Sequence, residues 1–85
     1  MPEISRFYGL FIFMNYNDHN PPHFHAWYGD FKVIVHILDG TIEGKMPKRA
    51  LNMIFEWLEI HKEELMENWE NARKGVQLNK INPLN

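Results

Sequence analysis

Residues 23–37 read HFHAWYGDFKVIVHI. Two alternating runs flank Gly29-Asp30, and a glycine-first pair between such runs suits a two-residue type II′ hairpin turn. The turn fixes the register: Tyr28 must face Phe31, and every opposed pair then has residue numbers adding to 59. One face of the hairpin becomes Phe24, Ala26, Tyr28, Phe31, Val33, Val35 and Ile37, apolar apart from a phenol, and is the expected core. The other face becomes His23, His25, Trp27, Lys32, Ile34 and His36, with His23 opposite His36.

Working outward, Phe7 to Tyr16 (FYGLFIFMNY) is apolar on both parities, which suits a strand covered on both faces. Asn15 to Pro22, rich in Asn, Asp and Pro, reads as a loop. Asp39-Gly40 favours a type I′ turn into Thr41-Ile42-Glu43 with pairs adding to 79, which would set Ile37 opposite Ile42 and His36 opposite Glu43. Strands are expected near 7–16, 23–28, 31–37 and 41–43. From Pro47 the period changes. Ala50, Leu51, Ile54, Phe55 and Leu58 line a helical stripe over 47–60, with proline at the first helical position. Glu63 and Glu64, then Arg73, Lys74 and Gly75, are ordered as the helix dipole favours, so a second helix over about 62–74 is expected after a kink near His61. The tail should pack only at Ile81 or Leu84. The fold class is α+β: a three- to four-stranded antiparallel meander followed by two C-terminal helices packed on one face.

The chain has 85 residues, enough for one domain (1–85), and its 45% apolar content can fill a core. It has no cysteine, so any metal would be held by His, Asp or Glu. A formal charge of −2 gives no bulk footprint of a nucleic-acid binder, although it leaves room for a local basic patch. No apolar run is long enough to span a bilayer. The opening MPEISRFYG carries an acid where a signal peptide wants basic residues, so a cytoplasmic location is expected.

The hairpin register makes chemistry from the histidines. His-x-His on a strand projects two imidazoles to one side, and a third from the neighbouring strand completes a three-nitrogen set of His23, His25 and His36 for zinc or another divalent first-row metal. Glu43 beside it is placed to orient an imidazole or act as a fourth ligand. The same residues without a metal suit acid–base work. The plainer reading is that the wet face of an antiparallel sheet ordinarily carries His, Trp and Lys, and that a His–Glu cross-strand pair is simply favourable. Asp18 and His19 lie in the loop within reach of joining the cluster, while His61 reads as a helix-end residue. Lys45, Lys48 and Arg49 oppose the dipole at the start of the first helix and form a candidate anion site for phosphate, RNA or an acidic partner. The plainer reading of them is a solvated turn balanced by Glu43 and Asp39.

Four segments together, ISRFYG (4–9), NDHNPPHFHAWYG (17–29), IEGKMPKRAL (42–51) and ENWENARKG (67–75), resemble the bacterial family catalogued as domain of unknown function 4160. The likeness spans nearly the whole chain, and HNPPHFHA is its most specific part. It implies a small α+β bacterial protein and supplies no catalytic residues. Genes of the family often lie beside a second small gene, an arrangement similar to toxin–antitoxin modules, which is associational. The resemblance therefore implies a binding or regulatory module acting with a protein partner or by self-association. The alternative is a histidine-dependent, metal-assisted hydrolase such as a ribonuclease or phosphodiesterase.

Overall fold

In the computed structural model, which describes residues 2–85, the hairpin around Gly29-Asp30 has the expected register. β3 (His23–Tyr28) pairs antiparallel with β4 (Phe31–His36), from Tyr28 opposite Phe31 to His23 opposite His36. Phe24, Ala26, Val33, Val35 and Ile37 are buried in the core, whereas Phe31, placed on the same face, is exposed at the hairpin tip.

The sheet has five strands in sequence order, not three or four. The apolar run expected as one strand over 7–16 is divided by a turn at Tyr8-Gly9, whose φ values of 47° and 84° are those of a type I′ hairpin. β1 (Glu3–Phe7) and β2 (Leu10–Phe13) lie on either side. β2 is nonetheless covered on both faces. Leu10 and Ile12 enter the core, and Phe13 is buried on the opposite side against His25 and Trp27.

The β4–β5 register is also corrected. β5 (Ile42–Lys45) sets Val35, not Ile37, opposite Ile42, and Ile34, not His36, opposite Glu43. The Asp39 carboxylate accepts the Thr41 N–H at 2.9 Å, so that donor is not free for the tight turn. The chain instead closes with His36 N–H to Thr41 O and Gly40 N–H to His36 O, each 2.9 Å. A slip of two residues preserves the faces, so Glu43 remains on the histidine side.

One helix, α1 (Lys48–Lys74), follows the sheet in place of two. The kink expected near His61 is present, with non-helical angles at that residue (φ −114°, ψ 21°). Pro47 is the N-cap residue and not the first helical position; Gly75 closes the other end in the left-handed conformation, with its own and the Val76 N–H bonded to Ala72 and Asn71 carbonyls. The buried stripe is Ala50, Ile54, Trp57, Leu58, Leu65, Asn68, Trp69 and Ala72. Trp57 thus takes the place expected for Phe55, which is exposed. Val35, Leu58 and Trp69 share one core cluster, as their positions on the face and stripe imply.

The tail is tied down by more than packing at Ile81 or Leu84. Leu78 is buried as well as Ile81. The Asn68 side chain, fully buried, both donates to the Asn79 carbonyl and accepts its N–H. Trp57 Nε1–H donates to Asn82 O, and Ile81 N–H to Ile4 O beside β1. No helix among the described residues is long and apolar enough to cross a membrane.

Candidate functional site

The loop between β2 and β3 brings the site together. Asn17 takes the left-handed conformation (φ 56°) and donates its N–H to Ala72 O near the end of α1, and Ile37 N–H holds Pro22 O. Between these anchors Asp18 is carried over the start of β3. Its Oδ2 lies 2.9 Å from His23 Nε2 and 3.5 Å from His25 Nε2, and its Oδ1 accepts the His19 N–H. One ligand atom from each of Asp18, His23 and His25 falls within 4.8 Å of the others.

The tautomer of His23 follows from its neighbours. Nδ1 is 2.8 Å from Pro21 O, which can only accept, so Nδ1 carries a proton. In a neutral ring Nε2 is then a lone pair, directed at 2.9 Å toward a carboxylate oxygen. Two acceptors at that distance need something between them, either a shared proton or a metal ion bound by both. The ring is 5% exposed and packs on Trp69, 5.1 Å between centroids, so its direction is fixed.

His25 is stacked on Phe13 (4.8 Å, 9° between planes), with Asn15 Nδ2 3.4 Å from Nε2. Burial lowers its pKa; the Asp18 hydrogen bond works the other way and the nearby His23 charge adds to the lowering, so the ring is neutral near pH 7. At Asp18 burial favours the neutral acid. That is outweighed by the hydrogen bonds from the His19 N–H, His23 and His25 and by the charge on His23, which hold the carboxyl below its ordinary range.

His36 shares the face as expected, its ring centroid 6.1 Å from that of His23, but it turns to a different partner. Its Nε2–H donates to Glu43 Oε2 at 2.6 Å, a diagonal contact across the shifted register. Its Nδ1 is buried without a partner. The structure thus groups His23 and His25 with Asp18, and His36 with Glu43. All five line one cleft of about 380 Å³, floored by Ile34 and walled by Asn15 and Pro21. His19 stands at the rim, its side chain 90% exposed. His61 is remote, bonded to Glu64 and packed on Trp57 at the helix interruption.

The cations expected as an anion site flank the start of α1. Lys45 is on β5 opposite Lys32, while Lys48 and Arg49 open α1, all three exposed. No acid occupies the first helical turn, and among the described residues none of the three is ion-paired.

Asp18, only a loop residue within reach in the sequence, is the hub of the site, and His23 meets Trp69, a contact the sequence does not signal. The four residues between Asp18 and His23, two of them proline, were the signal for the first. The second arises only from the path of α1.

A cleft with two imidazoles and a carboxylate on one side and a histidine–glutamate pair on the other can hold a divalent cation with coordination positions left open. It can equally move protons. No curated protein and no solved structure matches the chain. A family model matches residues 9–70, so the chain belongs to the family described as Domain of unknown function (DUF4160).

Proposed function

We propose that the protein is a metal-assisted, histidine-dependent hydrolase of phosphodiester bonds, with Asp18, His23 and His25 holding a zinc or other divalent first-row ion. The observation that carries this reading is His23 Nε2 held 2.9 Å from the Asp18 carboxylate, with His25 alongside, in an open cleft. Two histidines and one carboxylate leave sites for substrate and water, unlike the closed four-ligand sets of structural zinc. A bound cation there supplies Lewis acidity to a phosphoryl oxygen and acidifies water. The remaining groups have separable tasks. Pro21 fixes the His23 tautomer, and Phe13 fixes the His25 plane. Glu43, with 61% of its side chain exposed and one oxygen held by His36, is placed to take a proton from attacking water. Cleavage of a short RNA and of a simple aryl phosphodiester, with added zinc or manganese and with chelator, tests the proposal. Chelator-sensitive cleavage that Asp18→Asn abolishes is expected; cleavage indifferent to both, or none with metal supplied, overturns it.

A second reading is favoured by a separate observation. Leu38 (58% exposed) and Phe55 (38% exposed) border one depression between the β4–β5 loop and α1, a surface suited to another protein. On this reading the chain is a small bacterial, cytoplasmic module acting with a partner in a toxin–antitoxin-like two-gene system. The two readings are compatible, since a catalytic component of such a pair needs a partner that restrains it. Light scattering over a wide concentration range and binding to the neighbouring gene product test it. A monomer that ignores that product contradicts it.

A further inference from the structure

The outer face of the sheet carries a second feature beside the histidine cleft. In register across all five strands stand Arg6, Phe11, Trp27, Lys32 and Lys45, each directly opposite the next. The Phe11 and Trp27 rings are stacked at 5.9 Å; Arg6 lies 4.9 Å over Phe11, and Lys32 lies 4.7 Å over Trp27. Both rings are half-buried and the three cations exposed. Lys32 and Lys45 have no acidic partner among the described residues, whereas Arg6 is shared with Glu3 at 2.7 Å. A hollow of about 250 Å³ lined by Trp27, Lys32, His25, Ile34 and Glu43 joins this row to the cleft, which His25, Ile34 and Glu43 also line.

We infer that this row is a docking platform for single-stranded RNA, laid across the strands with its phosphodiester backbone led into the cleft. The inference rests on the hydrolase reading for what happens in the cleft and on the row alone for binding. Aromatic rings on an open sheet offer stacking surfaces that any base can use, and flanking cations meet the backbone. A base that displaces Lys32 from the Trp27 face leaves the ammonium free for the adjacent phosphate. Five strands spaced by roughly 4.8 Å give a row of about 19 Å, room for a few nucleotides. A duplex has its bases stacked inside and has nothing to offer Phe11 and Trp27. Most single-stranded polynucleotide in a cell is RNA, which decides between the two sugars. The net charge of −2 does not oppose this, because the cations are gathered locally while Glu56, Glu59, Glu63, Glu64, Glu67 and Glu70 all lie on α1.

The experiment is fluorescence anisotropy with a labelled RNA of about ten nucleotides, unstructured, in chelator to prevent metal-dependent cleavage. Trp27→Ala is expected to weaken binding roughly ten- to a hundredfold. Lys32→Gln and Lys45→Gln, exposed changes that leave the core alone, should each weaken it and flatten the salt dependence by about one phosphate contact. Asp18→Asn should lose cleavage while its binding still depends on Trp27. Unchanged binding in the Trp27 and both lysine variants, or equal affinity for the matching duplex, overturns the platform. Trp27-dependent binding without cleavage by the metal-loaded protein sinks the hydrolase reading and leaves the platform standing. Cleavage with unchanged KM in the Trp27 and lysine variants does the reverse.

Discussion

His23 points an imidazole nitrogen at the Asp18 carboxylate across 2.9 Å while its other ring nitrogen is committed to Pro21 O at 2.8 Å. The contact requires a proton or a metal ion between its two atoms. A proton meets that need when the protein stands alone. A metal meets it with His25 as third ligand, and the proposed function follows from that choice.

The pair is held in place by the core, and Trp69 is the link. It is 1% exposed and lies against the His23 ring. Trp69→Ala should cost roughly 3–5 kcal/mol, the range for buried aromatics truncated in a core. In a domain of this size that is a large share of the total stability. Denaturant unfolding followed by fluorescence checks it; a midpoint nearly equal to that of wild type contradicts the packing.

Gly44 controls the other wall of the cleft. At φ +113° it sits where side chains rarely go, and a Cβ there would lie 2.4 Å from Lys32 O, a backbone atom that cannot step aside. Gly44→Ala should cost about 1–3 kcal/mol in strain and loosen β5, carrying Glu43 away from His36. Faster amide exchange confined to residues 42–45 and an altered His36 imidazole signal are the expected readouts. A variant as stable as wild type with an unchanged His36 signal contradicts this account of the edge strand.

Acid should destabilise the metal-free protein in two stages. The His25 pKa is lowered by folding, so below roughly pH 6.5 the unfolded chain binds a proton that the folded chain resists. Stability is therefore complete above that pH and declines as pH falls toward the folded value. Asp18, lowered as well, contributes stability that is lost at more acid pH, as its carboxylate is protonated in the fold. Thermal melts in chelator from neutral to acid pH should show a first decline that His25→Gln removes. Melts independent of pH between neutrality and pH 5 contradict it.

The parts of this structure legible in the sequence are those governed by local periodicity. Alternation about Gly29-Asp30 gave the β3–β4 register and put His23, His25 and His36 on one face, as found. The β1–β2 hairpin was hidden because its turn uses Tyr8 at positive φ, unusual for a bulky aromatic, inside a run that otherwise reads as continuous strand. The β4–β5 slip depends on which N–H the Asp39 carboxylate takes, a choice composition does not reveal. On α1, Phe55 and Trp57 compete for the core. Trp57 is buried there with its indole N–H donated to Asn82 O, a partner 25 residues away. Asp18 was visible as a residue within reach, but its position depends on Asn17 meeting Ala72 at the far end of the helix. Long-range contacts of this kind leave no local pattern.

Calorimetric titration of zinc into tag-free protein, alongside Asp18→Asn, His25→Ala and His36→Ala, tests the metal site itself. One zinc per chain is predicted for wild type. Loss of a direct ligand should weaken it by more than the roughly 10–100-fold that loss of a supporting group produces. Asp18→Asn and His25→Ala should therefore abolish measurable binding, while His36→Ala, which touches Glu43 and not the Asp18 cluster, keeps it. No zinc uptake by wild type, or a loss in His36→Ala as severe as in Asp18→Asn, would contradict a metal site built on Asp18, His23 and His25.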